Sequence, residues 1–397
     1  MTRIRVTHTV EIPDPIRISR YQKIPELGPK VLFFSGGTAL KGISKVLKNY
    51  THNSIHLVTP FDSGGSSAEL RKAFDMPSIG DLRARLMALA DESVLGHPEI
   101  YELFNHRFPR DRDQKALHAE LKSLVSGDSA LIAGISNSMR QLICNQLGYF
   151  TSAMPDDFDL RGASVGNLIL AGGYLNNHQE LDPIIFLFSK LVNVQGTVRA
   201  VVDDDLHLAV ELEDGNRVVG QHRITGKEVA PLTSPITSLS LSEKKDCYVP
   251  CQSKLKKKSR KLIESADLIC YPPGSFYTSL LANLLPNGVA KAIAENDCPK
   301  VYVPSLGNDP EQLGMGFEES VRGLLDHLHK DMPPSCPSNR LMNYVLVDTK
   351  NAEYGNDFST GFLKKLGVEF IDTRLVSKQS APYYDNELLV SALLSLA

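Results

Sequence analysis

A single unit recurs three times along this chain: a short apolar run, a turn rich in glycine and serine, then a helical pattern. Val31–Phe34 leads into Ser35, Gly36, Gly37 and Thr38 and then ALKGISKVLKNY, where Leu40, Ile43, Val46 and Leu47 fall on one helical face. Ile55–Val58 leads into TPFDSGGSSAELRKAF, and Asp267–Cys270 leads into Pro272–Ser279 and LLANLL. The apolar runs are continuous rather than alternating, as in strands of a parallel sheet covered on both faces. The fold class expected is α/β, a Rossmann-like, doubly wound, mostly parallel sheet. In such a sheet ligands sit at the carboxyl ends of the strands.

The rest of the chain extends this frame. Residues 1–30 read as an N-terminal extension, a strand pair packed on the core, and residues 31–332 as the nucleotide-binding core. An antiparallel β insertion is expected at about 192–241, because LHLAVELEDGNRVVGQHRI has strand-like runs around an Asp214-Gly215 hairpin signal. Residues 333–397 read as an α/β segment that completes the core, with strands at NYVLVD and VEFIDT and a closing helix at NELLVSALLSLA. MPSIGDLRARLMALAD reads as a turn feeding a helix, and residues 97–157 as helices with loops. The run KLKKKSRK is read as a solvated helical face.

Each strand-turn-helix unit aims unpaired amides and the positive end of a helix dipole at one place. Glycine allows close backbone approach and serine adds donors. One such turn is equally well explained as helix capping. Three turns brought to one sheet edge point to a phosphate-binding cleft. The candidate ligand residues are therefore Ser35, Gly36, Gly37, Thr38, Gly64, Gly65, Ser66 and Ser67, with Pro273, Gly274, Ser275, Thr278 and Ser279 from the third unit. Tyr277 is expected against a base or sugar, and Asn283, one turn on, faces the same side as Ser279. Asp62, the one acid of the second turn, can bond a ribose or hold a divalent ion. Asp81 is either a helix cap or, paired with Asp62, a site for Mg2+, which takes one or two carboxylates plus phosphate oxygens.

Other chemistries fit poorly. Neither the GxGxxG nor the GxxxxGK[ST] pattern is present. Gly162-Ala-Ser-Val-Gly166 matches a nucleophile elbow, but the acidic PDDFDLR before it is not the apolar strand an elbow needs. Cys247 and Cys251 have no second ligand pair nearby, and His327 and His329 stand two apart in a helical stretch, so zinc is not expected. A net charge of −3 over 397 residues gives no field for a polyanion, so nucleic acid is not an expected partner. No window reaches the roughly 18 to 20 apolar residues of a membrane span, and the N-terminus has no apolar leader core. Six dispersed cysteines suit a reducing compartment, and the cytoplasm is the expected location. The expected partner is a nucleotide or nucleotide-activated small molecule; a homodimer is compatible with the sequence.

SGGTAL, TPFDSGGSS, GDLRARLMAL, GASVGNL and ADLICYPPGSFYTSLLANLL, in that order, resemble the superfamily of 2-phospho-L-lactate transferases and gluconeogenesis-factor (YvcK-type) proteins, as a divergent branch. The resemblance runs from Val31 to the C-terminus. It implies a Rossmann-like core and carries Arg83, Gly166 and Asn167 into the candidate ligand set. One branch transfers a phospholactyl group from a guanosine-diphosphate-type donor to a hydroxyl with a divalent metal; there Asp62 and Asp81 become the catalytic and metal-binding pair. The other branch binds nucleotide sugars and regulates metabolism without an established reaction. Two polar groups usual in the second branch are absent: Ser63 stands where it has an acid, and Ala163 where it has a histidine.

Overall fold

The computed structural model describes residues 9–93, 96–226, 229–355 and 358–397. Seven strands form one parallel sheet: β1 (Val31–Ser35), β2 (Ile55–Val58), β3 (Thr197–Ala200), β8 (Leu268–Tyr271), β9 (Lys300–Tyr302), β10 (Tyr344–Val347) and β11 (Glu369–Asp372), in the order β11-β10-β9-β8-β1-β2-β3. The chain therefore winds outward from β1 through β2 to β3, then returns to build outward from β8 to β11. The direction reverses between β1 and β8, and at that switch point the loops above the strands part to leave a crevice.

The continuous apolar runs are explained by cover on both faces. Val31 to Phe34 are all fully buried. Leu32 and Phe34 join one core cluster with the helices that follow β8 and β9, while Val31 and Phe33 join another with the closing Asn386–Leu396 helix. Helices between residues 98 and 191 bury a third cluster around Phe104, Phe150 and Phe188. The segment after residue 333 supplies β10, β11 and the closing helix, so the sheet is incomplete without it.

Two expectations are corrected. The insertion is a separate antiparallel sheet of β4 (His207–Leu212), β5 (Arg217–Val219), β6 (Ile236–Ser242) and β7 (Pro250–Cys251), so it starts later and runs further than 192–241. β3, inside the expected range, instead pairs in parallel with β2, Ile55 opposite Thr197. The N-terminal extension is no strand pair over its described residues but a helix, Pro15–Lys23. Asp14 caps it by accepting from the Arg17 N–H, and Pro15 takes the first turn, where a missing N–H costs nothing. The Asp14 N–H and the Arg17 guanidinium bind Ser395, and Arg17 also reaches the Ala397 carbonyl, which ties the extension to the end of the chain. The charge run forms the Lys257–Glu264 helix, with Lys258 paired to Asp182 on its exposed face.

Candidate functional site

A cavity of about 440 Å³ opens over the carboxyl ends of β1, β2 and β8, at the switch point. Its floor is the turn after β1. Arg85, only 1% exposed, reaches this turn from behind. Its guanidinium donates to the carbonyls of Gly36 (3.0 Å), Gly37 (3.1 Å) and Leu40 (2.9 Å) and to Ser44 Oγ (2.6 Å). With the carbonyls held there, no protein acceptor among the described residues meets the N–H groups of Gly36, Gly37 and Thr38. Burial pulls the Arg85 pKa down to about 10, which still leaves it charged at neutral pH.

The second wall is the turn after β2 and the start of the Gly65–Phe74 helix. Asp62 Oδ1 accepts from the Gly64 N–H (3.1 Å), and the first-turn amides of Gly65, Ser66 and Ser67 are ones no helix can bond internally. Gly65 sits at φ 50°, the left-handed region that glycine adopts without strain. The Gly80–Ala88 helix begins beside it and carries Asp81 and Arg83 to the cavity. Here glycines make room for protein side chains: a Cβ on Gly37 would stand 2.6 Å from Asp81 Oδ1, and one on Gly80 would stand 2.5 Å from Ser67 Oγ and 3.4 Å from Asp62 Oδ2. The two carboxylates thus face one cavity, Asp62 from the turn after β2 and Asp81 from the first turn of a helix that follows another helix rather than a strand, so they do not come from adjacent strand ends.

The third turn departs from its expected role. The Gly274 N–H goes to Ser305 Oγ (3.0 Å), the Phe276 N–H to Asp309 (2.8 Å), and the Tyr277 and Thr278 N–H groups to Glu311 Oε2 (2.9 and 2.8 Å). Two carboxylates from the loop after β9 already cap this helix start, which opens as a π-turn over Phe276–Leu281. Thr278 Oγ1 also donates to Glu311. Burial, with Asp309 beside it, pushes the Glu311 carboxyl up to about 7. Thr278 therefore serves the capping and does not face the cavity. Tyr277 is core: it packs edge-on against Phe276 and donates to the Ile236 carbonyl (3.1 Å). Asn283 lies behind the cavity, donating to the carbonyls of Ser35 (2.9 Å) and Ser279 (2.8 Å) and so joining β1 to the third unit. Gly166 is also off the wall, packed against the Phe104 carbonyl and the Arg83 stem. Pro273, Gly274, Ser275 and Ser279 do line the cavity.

The structure thus brings together Asp62, Asp81, Ser35, Gly36, Gly37, Thr38, Gly64, Gly65, Ser66, Ser67, Arg83, Asn167 and those four residues of the third turn. It adds groups that sequence reasoning missed. Arg107 and Arg110 enter from the strand-like segment after the Pro98–Asn105 helix, and Gln221, His222 and Thr225 from a helical turn of the β insertion. His222 Nδ1 is 2.8 Å from Ser63 Oγ, so the insertion closes on the second turn. The run HRFPRDR carried three arginines without a glycine-serine turn, and nothing in it distinguished a ligand face from a solvated one.

Asp62 and Asp81 are the two carboxylates that line the cavity, and so the ones that could hold a hard divalent cation there. No group of three or more His, Cys, Asp or Glu side chains suited to a metal occurs among the described residues, so the protein alone does not complete a coordination sphere. Mg2+ takes that arrangement, keeping waters and phosphate oxygens as its other ligands. The nucleophile-elbow geometry is absent: turns precede Ser164, which begins the Val165–Asn176 helix.

The profile of the family described as 2-phospho-L-lactate transferase CofD matches residues 31–376. The chain belongs to this family. Among its relatives are the gluconeogenesis factor of Halalkalibacterium halodurans, 28% identical over 91% of this chain and 94% of that protein, and that of Bacillus subtilis, 26% identical over 93% and 98%. A Nostoc relative described in similar terms is 30% identical over 82% of this chain, which spans 56% of that longer protein. The crystal structure of a UPF0052-family protein from Bacillus halodurans superposes with a TM-score of 0.66 at 26% identity, covering 92% of this chain and 99% of that one. No described helix is long and apolar enough to cross a membrane.

Proposed function

We propose that this CofD-family protein binds a nucleoside-diphosphate-type ligand in the switch-point cavity and transfers a phosphorus-linked group from it to a hydroxyl acceptor, in the manner of a 2-phospho-L-lactate transferase. The observation that carries the reading is the pair of turns whose amides at Gly36–Thr38 and Gly65–Ser67 meet no protein acceptor among the described residues, in a cavity that Asp62 and Asp81 also line. Such amides, fixed before the ligand arrives, stabilise phosphate charge without reorganising. Arg85 holds the first set in place from behind. Asp62 and Asp81 would hold Mg2+ against the diphosphate, where it offsets the charge that grows on the phosphate oxygens.

In the transfer, the acceptor oxygen forms a bond to the phosphorus, the bond from that phosphorus to the bridging oxygen breaks, and a nucleoside monophosphate leaves. The acceptor proton passes to solvent. Ser275 and Ser279 also line the cavity, Ser279 Oγ so close to the first turn that a Cβ on Gly36 would stand 2.2 Å from it, and would orient either partner. The free cysteines suit the reducing cytoplasm.

A second reading, a non-catalytic nucleotide-sugar regulator of YvcK type, is favoured by the names of the relatives, which are gluconeogenesis factors. The two separate in one experiment. GDP and UDP, each with Mg2+, are screened by thermal shift, and the nucleotide that stabilises is then supplied as a phospholactyl-activated donor with a hydroxyl acceptor such as a deazaflavin. Release of the nucleoside monophosphate supports transfer. Tight binding without release favours the regulator, and no stabilisation at millimolar nucleotide refutes both.

A further inference from the structure

Among the described residues that line the cavity there is one imidazole, His222, carried by the Gln221–Thr225 helical turn that follows β5. Its ring is held along one edge. Ser63 Oγ, from the turn after β2, accepts from the His222 backbone N–H (3.2 Å) and stands 2.8 Å from Nδ1. Gly220, at φ 105°, brings the backbone close to that same edge: a Cβ there would stand 3.1 Å from Cε1 and 3.3 Å from Nδ1. A side chain at this position would push the ring away from Ser63. Among the described residues Nε2 meets no protein partner. The protein thus fixes the ring by its Nδ1 side and leaves the other nitrogen open.

The transfer to a hydroxyl needs a group that receives the hydroxyl proton as the oxygen bonds to phosphorus. Few side chains on the cavity wall can do this. Arg83, Arg107 and Arg110 are donors only, and the serines, threonines and amides are far too weakly basic. Asp62 and Asp81 hold the metal in that reading, and a neighbouring positive charge lowers a carboxylate's affinity for a proton. His222 remains. A hydroxyl is a suitable support for such a base. Ser63 Oγ has two lone pairs, one for the backbone N–H and one for Nδ1–H, and it keeps both bonds whether the ring is neutral or charged.

We infer that His222 is a catalytic base of the transfer and that Ser63 is its positioning residue, an inference that rests on the transfer reading of this cavity. The acceptor O–H bond breaks as its proton goes to Nε2, and the acceptor oxygen forms its bond to phosphorus. The bond from phosphorus to the bridging oxygen breaks, and its electron pair leaves with the nucleoside monophosphate. The imidazolium then gives its proton up to solvent, while Nδ1–H stays on Ser63 throughout.

Two measurements test this. Nitrogen-15 NMR of histidine-labelled protein, with the His222 signals assigned by their loss in His222→Asn, reads the tautomer without any turnover; the neutral ring should carry its proton on Nδ1. Steady-state release of nucleoside monophosphate from a phospholactyl-activated GDP or UDP, with Mg2+ and a deazaflavin acceptor, reads the base. Asparagine sets an amide where Nδ1 stands and so keeps a donor for Ser63 while removing the base. In His222→Asn kcat should fall about a hundredfold or more, the low end of what a general base contributes, with the donor KM little changed; His222→Gln is the second variant if the first does not fold. Ser63→Ala should also lower kcat, and Ser63→Thr, which keeps the hydroxyl, should restore it. A smaller loss of kcat in the His222 variant, or a neutral ring with its proton on Nε2, overturns this inference and leaves the transfer reading standing. No release by the wild type with either nucleotide overturns both.

Discussion

Arg85→Lys tests whether the first turn is held open from behind. The guanidinium serves four acceptors, the carbonyls of Gly36, Gly37 and Leu40 and Ser44 Oγ, in a fork that an ammonium on a flexible stem cannot reproduce. A lysine can reach one or two of them. The two hydrogen bonds lost, each to a charged donor, are worth about 1.5 to 3 kcal/mol apiece. The loss is reduced because Ser44 Oγ itself donates to the Leu40 carbonyl (2.8 Å). A net destabilisation of about 2 to 4 kcal/mol in urea unfolding follows. Once the carbonyls are released the turn can rotate and lose its aligned amides, so nucleotide affinity should fall at least tenfold even in the folded fraction. Calorimetry on the folded variant measures this. Unchanged affinity together with the expected loss of stability would show that Arg85 supports the core alone and that the first turn does not bind the ligand.

The Glu311 cap predicts a pH effect. Its carboxyl is raised from 4.5 to about 7 by burial and by Asp309, so the folded protein takes up a proton that the unfolded chain releases. Its contribution is complete below about pH 4.5 and is lost as pH rises through 7, so this group lowers stability by up to about 1.4 kcal/mol per pH unit over that window. In Glu311→Gln this part of the slope should vanish; an unchanged slope between pH 5 and 7 assigns it to other groups. Thr278→Ala should lower stability by about 1 to 3 kcal/mol by removing a donor from a buried carboxyl, with nucleotide affinity intact, while Ser275→Ala should lower affinity and leave stability near wild type. The opposite pattern would place Thr278 in the site after all.

Much of the frame was legible because it depends on local chemistry. Continuous apolar runs such as Val31–Phe34 specify strands covered on both sides, and the glycine-serine turns behind β1 and β2 mark where amides are left free. The third turn carries the same residue types, yet its amides go to Asp309 and Glu311, which lie more than thirty residues further on and reach it only through the fold. The insertion boundary was misplaced because β3 is short and pairs with β2, a partner remote in sequence. The helix at Pro15 could have been found, since aspartate followed by proline is a start signal for a helix and competes with the strand reading of the alternating residues around it. Arg107, Arg110 and His222 sit outside any glycine-serine turn, and only the tertiary placement of their segments brings them to the cavity.

If the two amide-lined turns and the pair Asp62 and Asp81 take a diphosphate together with Mg2+, metal and nucleotide must bind cooperatively through Asp62. The direct measurement is calorimetric binding of GDP and UDP to the wild type and to Asp62→Asn, each with Mg2+ and with EDTA. Asparagine keeps the shape and an oxygen for the Gly64 N–H but removes the charge. Mg2+ should tighten nucleotide binding in the wild type and no longer do so in Asp62→Asn, with the fold unchanged. Nucleotide binding that is insensitive to both the metal and the substitution would contradict it.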